Sequence, residues 1–252
     1  MVQLSELVRY CDAVLGASGF HDYAPNGLQV EGRAEVARLV TGVTASAALL
    51  ERAIDAGADA VLVHHGYFWK GEPSAVTGMK ARRLGLLLRH GVSLIAYHLP
   101  LDTHAVLGNN AQLGNRLAFE IEGYVEAGGV PGLLACGRLR SACCPDELAG
   151  RLSCLLGRTP LHVGAGPRLI RKVAWCTGAA QRLLAEAASL GVDAYISGEI
   201  SEPTTHEARE YGIHYFAAGH HATERYGVQA LGEHLAEQLQ LDHRFIDDLN
   251  PA

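Results

Sequence analysis

The chain has 252 residues, of which 48% are hydrophobic and 19% are charged, a composition that indicates a folded globular protein and excludes a disordered one. Its formal net charge of −6, without a run of Lys and Arg, argues against a nucleic-acid partner, because phosphate binding relies on clustered basic residues. The six cysteines include no C-x-x-C pair, so a thiolate zinc site is not indicated, and a chain of this size does not need disulfide bonds for stability.

The first predicted element is an amphipathic helix. Leu4, Leu7, Cys11 and Leu15 recur at helical spacing, with charged residues between them. This segment lacks the basic start and the apolar run of a signal peptide, and no stretch of the chain is apolar over a membrane-spanning length. We therefore expect a cytoplasmic protein that is not bound to a membrane.

The next elements alternate between strands and helices. The hydrophobic pattern predicts strands at 37–44, 59–65 and 92–99, and helices at 45–58, 79–90 and 109–119. Such an alternation is typical of parallel strands covered by helices. The stretch from 125 to 170 is richer in Gly and Pro, with one predicted helix at 145–157, and we interpret it as an inserted or second-lobe region.

The opening pattern then returns. Residues 174–199 repeat the order of residues 40–65, namely strand, helix, Gly-x-Asp-Ala, strand and a polar pair. Equivalent glycines are 34 residues apart in the first copy (57 to 91) and 21 apart in the second (191 to 212). The additional residues coincide with the loop "YFWKGEPSAVTGM", so the sequence predicts a diverged duplication with a loop grown beside the His64–His65 pair.

Polar residues follow several of the predicted strands. In open α/β sheets, ligands collect beyond the carboxyl ends of the strands. These ends carry His64 with His65, His98 to Asp102, 197–199, and His220 to Glu224. Imidazoles combined with carboxylates suit zinc, iron, manganese or nickel, so the pattern predicts a metal site.

Each of these residues also has a simpler interpretation. A His pair at a strand end can donate hydrogen bonds to a neighbouring loop, Asp102 suits a turn or a helix cap, and Glu224 suits the first turn of a helix. Spacing does not choose between His220 and His221 as the partner of Glu224. Adjacent strand residues point in opposite directions, which favours one ion each for His64 and His65. The coincidence of three separate strand ends favours the metal site.

The motifs resemble a known family along essentially the whole chain. The segments "DYAPNGLQVEG", "ADAVLVHHGYFWKG", "HLPLDTH", "GNNAQL", "SGE" and "AAGHHATERYGVQAL" are similar to those of the Nif-three-like dinuclear-metal family, bacterial branch, whose members are often catalogued as GTP cyclohydrolase 1 type 2 homologues. This resemblance implies an α/β fold of two similar, intertwined lobes with mainly parallel sheets flanked by helices. We assign 1–124 plus 216–252 to a metal-binding lobe and 125–215 to the second lobe.

The resemblance also implies a set of ligands and an assembly. His64 and His65 would each bind one of two divalent ions per subunit, Asp102 and His220 would complete the set, and Glu224 would bridge the ions. The subunits would form a homohexameric toroid. His98 is our candidate catalytic residue, because an imidazole can move protons near neutral pH. Three further residues lie near the site by motif: Tyr67, Lys70 and Glu199.

Two classes of function fit this set of residues. Our leading hypothesis is a metal-dependent hydrolase that acts on a small nucleotide-like or heterocyclic substrate, because paired ions can activate water. The alternative is a non-catalytic metal carrier, sensor or adaptor that acts through the hexameric ring. Both require the same five ligands.

Overall fold

A computed structural model describes residues 1–252 and confirms the α/β class. The strands, in chain order, are β1 (Val2–Gln3), β2 (Gly27–Val30), β3 (Glu35–Val36), β4 (Arg38–Thr44), β5 (Ala60–His65), β6 (Ser93–Ala96), β7 (Phe119–Ala127), β8 (Val130–Cys143), β9 (Leu161–Val163), β10 (Ile170–Cys176), β11 (Ala194–Ser197), β12 (His214–Ala217) and β13 (Asp242–Phe245). The α-helices are α1 (Leu4–Leu15), α2 (Ala47–Asp55), α3 (Gly78–His90), α4 (Leu99–Thr103), α5 (Asn109–Arg116), α6 (Pro145–Leu156), α7 (Leu184–Ser189), α8 (Glu202–Tyr211) and α9 (His220–Leu239).

The chain divides into two compact units, and each unit is built from two stretches of sequence. The first unit contains 1–101 and 227–249, and the second contains 102–226 and 250–252. The lobe boundaries predicted from the sequence lie instead at 124 and 215. The difference arises because β7 and β12 are hydrogen-bonded into the sheet of the second unit, and because Leu113 of α5 and Ala222 and Tyr226 of α9 pack in its core.

The sheet of the first unit has five strands in the order β13-β4-β5-β6-β2. The pairings from β13 to β6 are all parallel, and only β2 at the edge is antiparallel. Helices α2 and α3 connect the three central strands. Ser46 caps α2 by accepting a hydrogen bond from the Leu49 amide at 3.0 Å. Gly91 ends α3 with a φ of 62°, a left-handed conformation that favours glycine.

The sheet of the second unit has six strands in the order β7-β8-β10-β11-β12-β9. Its three adjacent strands β10, β11 and β12 are parallel and are connected by α7 and α8, so this unit has the same βαβαβ arrangement as β4 to β6. The remaining pairings are antiparallel. The 125–170 stretch contributes the predicted helix α6 and, in addition, the long hairpin strand β8, which the sequence pattern does not predict. Trp175 is fully buried in the core of this unit.

Each unit carries candidate ligands at or just after the ends of its strands. His64 and His65 are the last residues of β5, and His98 follows β6 by two residues. In the second unit, His220 is the first residue of α9, which follows β12. The predicted strand 92–99 ends earlier, at Ala96, because the backbone amide of His98 donates to the side chain of Asn26 at 2.8 Å. No helix of the protein combines the length and the apolar character needed to cross a membrane.

Candidate metal centre

Three imidazoles come together in the first unit. His64, His65 and His98 have potential ligand atoms within 4.8 Å of one another. Their ring centroids are separated by 4.5 Å for His64 and His65, 5.1 Å for His64 and His98, and 5.8 Å for His65 and His98. We call these three residues the imidazole group. Its spacing allows the rings to share an ion or to bind neighbouring ions.

The protein fixes the orientation of the two rings at the end of β5. Nδ1–H of the fully buried His64 donates to the carbonyl oxygen of Tyr97 at 2.9 Å. Nδ1 of His65 lies 3.2 Å from the hydroxyl oxygen of Thr44. Because Nδ1 is engaged in both rings, Nε2 is the nitrogen that a metal ion would use. A protein contact to the nitrogen that does not bind the metal is usual for metal-binding imidazoles.

His98 is held from its ring and from its backbone. Its Nδ1–H donates to the carboxylate of Asp22 at 2.7 Å, and its amide donates to Asn26 at 2.8 Å. Asp22 also accepts from Asn26 Nδ2 at 3.0 Å and from the Leu99 amide at 2.9 Å. Burial raises the pKa of Asp22, but the His98 ring and these donors outweigh it and lower the pKa to about 2. Asp22 therefore stays ionised and keeps His98 in one orientation.

A cavity of about 650 Å³ lies next to the residues that hold His98, in the first unit. Asp22 and Asn26 form part of its wall, together with Phe20, Tyr23, Phe68 and Lys70. This volume falls within the range of small-molecule sites. Ligands that enter the cavity would thus meet the two residues that hold His98.

Of the two residues singled out in the loop after β5, only one faces this cavity. Lys70 is exposed and lines it, and its amide donates to the Tyr23 carbonyl at 2.6 Å, which joins the two loops that form the wall. Tyr67 is buried instead, and its hydroxyl donates to the Ala45 carbonyl at 2.6 Å. Tyr67 thus belongs to the core, and burial raises the pKa of its hydroxyl well above the usual range.

The second unit brings together the other three predicted ligands. Nε2 of His220 lies 3.1 Å from Oε2 of Glu224, one helical turn along α9. Ligand atoms of Glu224 and Asp102 lie within 4.8 Å of each other, and both side chains are buried. We call Asp102, His220 and Glu224 the acidic group. Spacing alone does not choose between His220 and His221, and in the structure the ring of His220 contacts Glu224.

Hydrogen bonds from neutral groups support the acidic group. Asp102 Oδ1 accepts from Asn109 Nδ2 at 2.9 Å and from the Thr177 hydroxyl at 3.4 Å. Asp102 lies within α4, and its carboxylate accepts from residues outside this helix. A buried carboxylate is costly unless it is hydrogen-bonded or paired, and these two donors are neutral groups.

The electrostatics of the acidic group favour a bound cation. Burial lowers the pKa of His220, but the carboxylates of Glu224 and Glu199 outweigh this effect and raise the pKa to about 9. The buried Cys176 thiol is subject to the same negative charges. Burial is the larger cause that raises its pKa well above the usual value, and the charges of Asp102 and Glu224 raise it further. A divalent ion would neutralise this excess of negative charge.

Gly178 leaves room for such an ion. A Cβ atom at this position would lie 2.1 Å from Glu224 Oε1 and 3.3 Å from His220 Nε2. The residue also has a φ of 69°, which favours glycine. The space beside the two ligand atoms therefore depends on the missing side chain, and the donor set of imidazoles and carboxylates fits a borderline divalent metal.

Several residues of the site were not singled out from the sequence. They are Asp22, Asn26, Asn109, Thr177 and Gly178. All five lie in or beside the predicted loops and strand ends, but hydrogen-bonding residues are common in turns, so that composition alone does not distinguish them. The joint occurrence of Asp22 and Asn26 in "DYAPNG" is the one local signal, since both residue types favour turns that fix their own backbone.

These features define a class: α/β proteins of two units, with a group of His side chains in one unit and a group of His, Asp and Glu side chains in the other. The chain belongs to the DUF34/NIF3 (NGG1p interacting factor 3) family, whose model matches residues 2–251. The predicted resemblance is thus confirmed.

Named relatives and a solved structure agree with this assignment. The chain is 58% identical to a protein of Allochromatium vinosum over 100% of this chain and 98% of the relative, and 55% identical to one of Pseudomonas aeruginosa over 100% and 99%. Both relatives are called GTP cyclohydrolase 1 type 2 homolog. A solved structure of a protein called ybgI, described as of unknown function, superimposes with a TM-score of 0.96 at 50% identity and covers 100% of both chains.

Proposed function

We propose that the protein binds two divalent metal ions and uses them to hydrolyse a small nucleotide-like or heterocyclic substrate. His64, His65, Asp102, His220 and Glu224 are the proposed ligands, with Glu224 as the bridge. The observation that carries this proposal is the close approach of potential ligand atoms in the second unit, where the buried Asp102 and Glu224 lie within 4.8 Å of each other and Nε2 of His220 lies 3.1 Å from Glu224.

The orientation of the imidazoles supports the same proposal. The Nδ1 nitrogen of each candidate ring is engaged by the protein, through a carbonyl group for His64, a hydroxyl group for His65 and a carboxylate for His220. Rings held in this way lose less conformational freedom when they bind a metal, and their Nε2 atoms are presented for coordination. Two divalent ions bound there would activate a water molecule and neutralise negative charge that develops on the substrate.

His98 is the proposed proton carrier of the reaction. Asp22 fixes its Nδ1–H, so that Nε2 is the atom that accepts a proton from the attacking water or returns one to the leaving group. The ionised Asp22 would stabilise the imidazolium form that this transfer creates. The ring of Trp69, with its centroid 5.0 Å from that of His98 in a T-shaped contact, restricts the ring further.

The cavity of the first unit is the proposed binding site for the substrate. Its aromatic residues Phe20, Tyr23 and Phe68 suit a planar ring, and the exposed ammonium of Lys70 suits an anionic substituent. The carboxylate oxygens of Asp22 in the same wall are engaged with His98 and with neighbouring donors. Substrate bound there would lie beside Asp22 and Asn26, the two residues that hold His98.

Metal content per chain is the first test. We expect about two ions per chain in the purified protein and a sharp loss in Glu224→Ala, measured by elemental analysis after dialysis. Glu237→Ala is the matched control, because Glu237 is an exposed glutamate on the same helix. Equal metal content in the two variants and the wild type would contradict the role of Glu224.

Turnover is the second test and separates the two functions. The metal-loaded protein is incubated with a panel of nucleotides and nitrogen heterocycles, and the products are identified by mass spectrometry. Chelators and Glu224→Ala should abolish hydrolysis, whereas Glu237→Ala should retain it. Hydrolysis by Glu224→Ala would refute the hydrolase. Two bound ions with no turnover of any compound would favour the carrier, sensor or adaptor instead.

We also propose that the protein is a cytoplasmic homohexamer, as the family resemblance implies. The bacterial relatives and the absence of a membrane-spanning helix are compatible with this location. Sedimentation equilibrium of the metal-loaded protein tests the assembly, and a mass of one or two chains would contradict it.

A further inference from the structure

We infer that Glu199 is a positioning residue that orients His220 for metal binding. The inference rests on the proposed metal function, and it assigns a role to a residue outside the five ligands. Oε1 of Glu199 accepts a hydrogen bond from Nδ1–H of His220 at 2.7 Å, while Nε2 of the same ring faces Glu224 at 3.1 Å. One imidazole thus lies between two carboxylates that approach its opposite nitrogens.

The surroundings of Glu199 hold it in this position. Its second carboxylate oxygen lies 3.4 Å from the side-chain amide of Gln181, and its backbone carbonyl accepts a hydrogen bond from the Tyr215 hydroxyl. Both ends of the residue are therefore fixed within the second unit, even though its side chain is 40% exposed to solvent.

The backbone before Glu199 is fitted closely to the start of α9. Gly198 donates to the Gly178 carbonyl and accepts from the Gly219 amide, both at 2.9 Å. A Cβ atom at Gly198 would lie 2.6 Å from the Gly178 oxygen and 2.7 Å from Cα of His220, so no side chain fits there. These backbone contacts set the distance between Glu199 and His220 independently of their side chains.

A carboxylate on Nδ1 has a specific effect on a metal-binding imidazole. It keeps the proton on Nδ1, directs the lone pair of Nε2 towards the ion and makes that nitrogen a stronger donor. Nδ1 of His64 contacts a carbonyl group and Nδ1 of His65 contacts a hydroxyl group, whereas Nδ1 of His220 contacts a carboxylate. Loss of such partners typically weakens metal binding about 10–100-fold.

The test compares Glu199→Ala and Glu199→Gln with the control Glu202→Gln. Glu202 is a nearby glutamate whose side chain is 83% exposed and which pairs only with His206 on the surface, so its replacement removes the same charge without affecting His220. Affinity for Co²⁺ and Zn²⁺ is measured by competition with a chromogenic chelator, and the visible spectrum of the Co²⁺ protein reports the ligand geometry.

We expect the metal affinity of Glu199→Ala to fall about 10–100-fold and its Co²⁺ spectrum to change. Glu199→Gln should lose less, because the amide oxygen still accepts from Nδ1–H. The thermal midpoint of the metal-free variants should match that of the control, since a half-exposed side chain contributes little to the core.

The result that overturns the inference is equal affinity and an equal Co²⁺ spectrum in Glu199→Gln, Glu199→Ala and Glu202→Gln. If Glu199→Ala does not fold, the affinity and spectrum of Glu199→Gln decide the question. A wild-type protein that binds neither metal would refute the proposed function and this inference together, whereas metal binding that is insensitive to Glu199 would refute this inference alone.

Discussion

The sharpest structural prediction concerns Gly178, which lies against two of the proposed ligands. Replacement by alanine places a methyl group 2.1 Å from Oε1 of Glu224 and 3.3 Å from Nε2 of His220. Non-bonded carbon and oxygen atoms do not approach within about 3 Å, so the Glu224 carboxylate must move by about 1 Å. We expect Gly178→Ala to bind metal at least about tenfold more weakly, because ligand geometry is lost.

A second contribution comes from the backbone and can be measured separately. Gly178 has a φ of 69°, and an L-residue in this conformation costs roughly 1–2 kcal/mol, partly offset by the lower entropy of the unfolded chain. Gly191 has a φ of 65°, and a Cβ atom added there would meet no atom within 4 Å, so Gly191→Ala carries the same backbone cost without the contact.

The two variants are compared by urea unfolding without metal and by metal content after loading. Both should lose about 1 kcal/mol of stability from the backbone, Gly178→Ala should lose more because of its contact with Glu224, and only Gly178→Ala should lose metal. If Gly178→Ala retained the metal content of Gly191→Ala, the space beside Glu224 would have no part in metal binding, and the interpretation of this glycine would be wrong.

Two further predictions concern a carboxylate and the cysteine thiols. Burial raises the pKa of Asp59, but two backbone N–H groups and Arg33 outweigh it and lower the pKa, so Asp59→Asn should cost about 1–2 kcal/mol at neutral pH. This cost is complete above the ordinary pKa of 3.8 and should shrink as the pH falls through the lower folded value; a cost that stays constant in acid urea titrations would contradict it. In the native protein, iodoacetamide should modify the exposed Cys154 first and leave Cys11 and Cys176 unmodified. The reason is that burial raises the pKa of the Cys11 thiol to about 12 and the pKa of the Cys176 thiol well above its usual value. Peptide mapping by mass spectrometry checks the order, and early labelling of Cys11 would refute it.

The parallel core of the fold could be predicted because its signals are local. The buried run Ala60–Val63 and the glycines that end helices at Gly57 and Gly91 identify strands and helix ends within a few residues. The hairpin strand β8 is different, because its pairing with β7 depends on contacts across the turn. Gly128 and Gly129, both with positive φ, are the available turn signal between two alternating runs.

The residues of the candidate site likewise differ in whether a local sequence signal identifies them. His64, His65 and Glu224 have signals at strand ends and in helical spacing, which sequence patterns detect. Asp22 has none of comparable strength, because its contact with His98 joins residues 76 positions apart. Such contacts arise from the packing of loops on a sheet, and no periodicity in the chain encodes them.

The first unit is built from two separate stretches of the chain, and this has a consequence for its folding during synthesis on the ribosome. Its strand β4 is made early, but the partner on one side, β13, lies near the end of the chain. Until 242–245 have emerged, the nascent chain exposes the unpaired edge of an apolar strand, whereas the six strands of the second unit are already complete. The sheet that contains the first-made strands is therefore the last to be completed. The exposed edge of β4 is where a chaperone would need to protect the newly made protein.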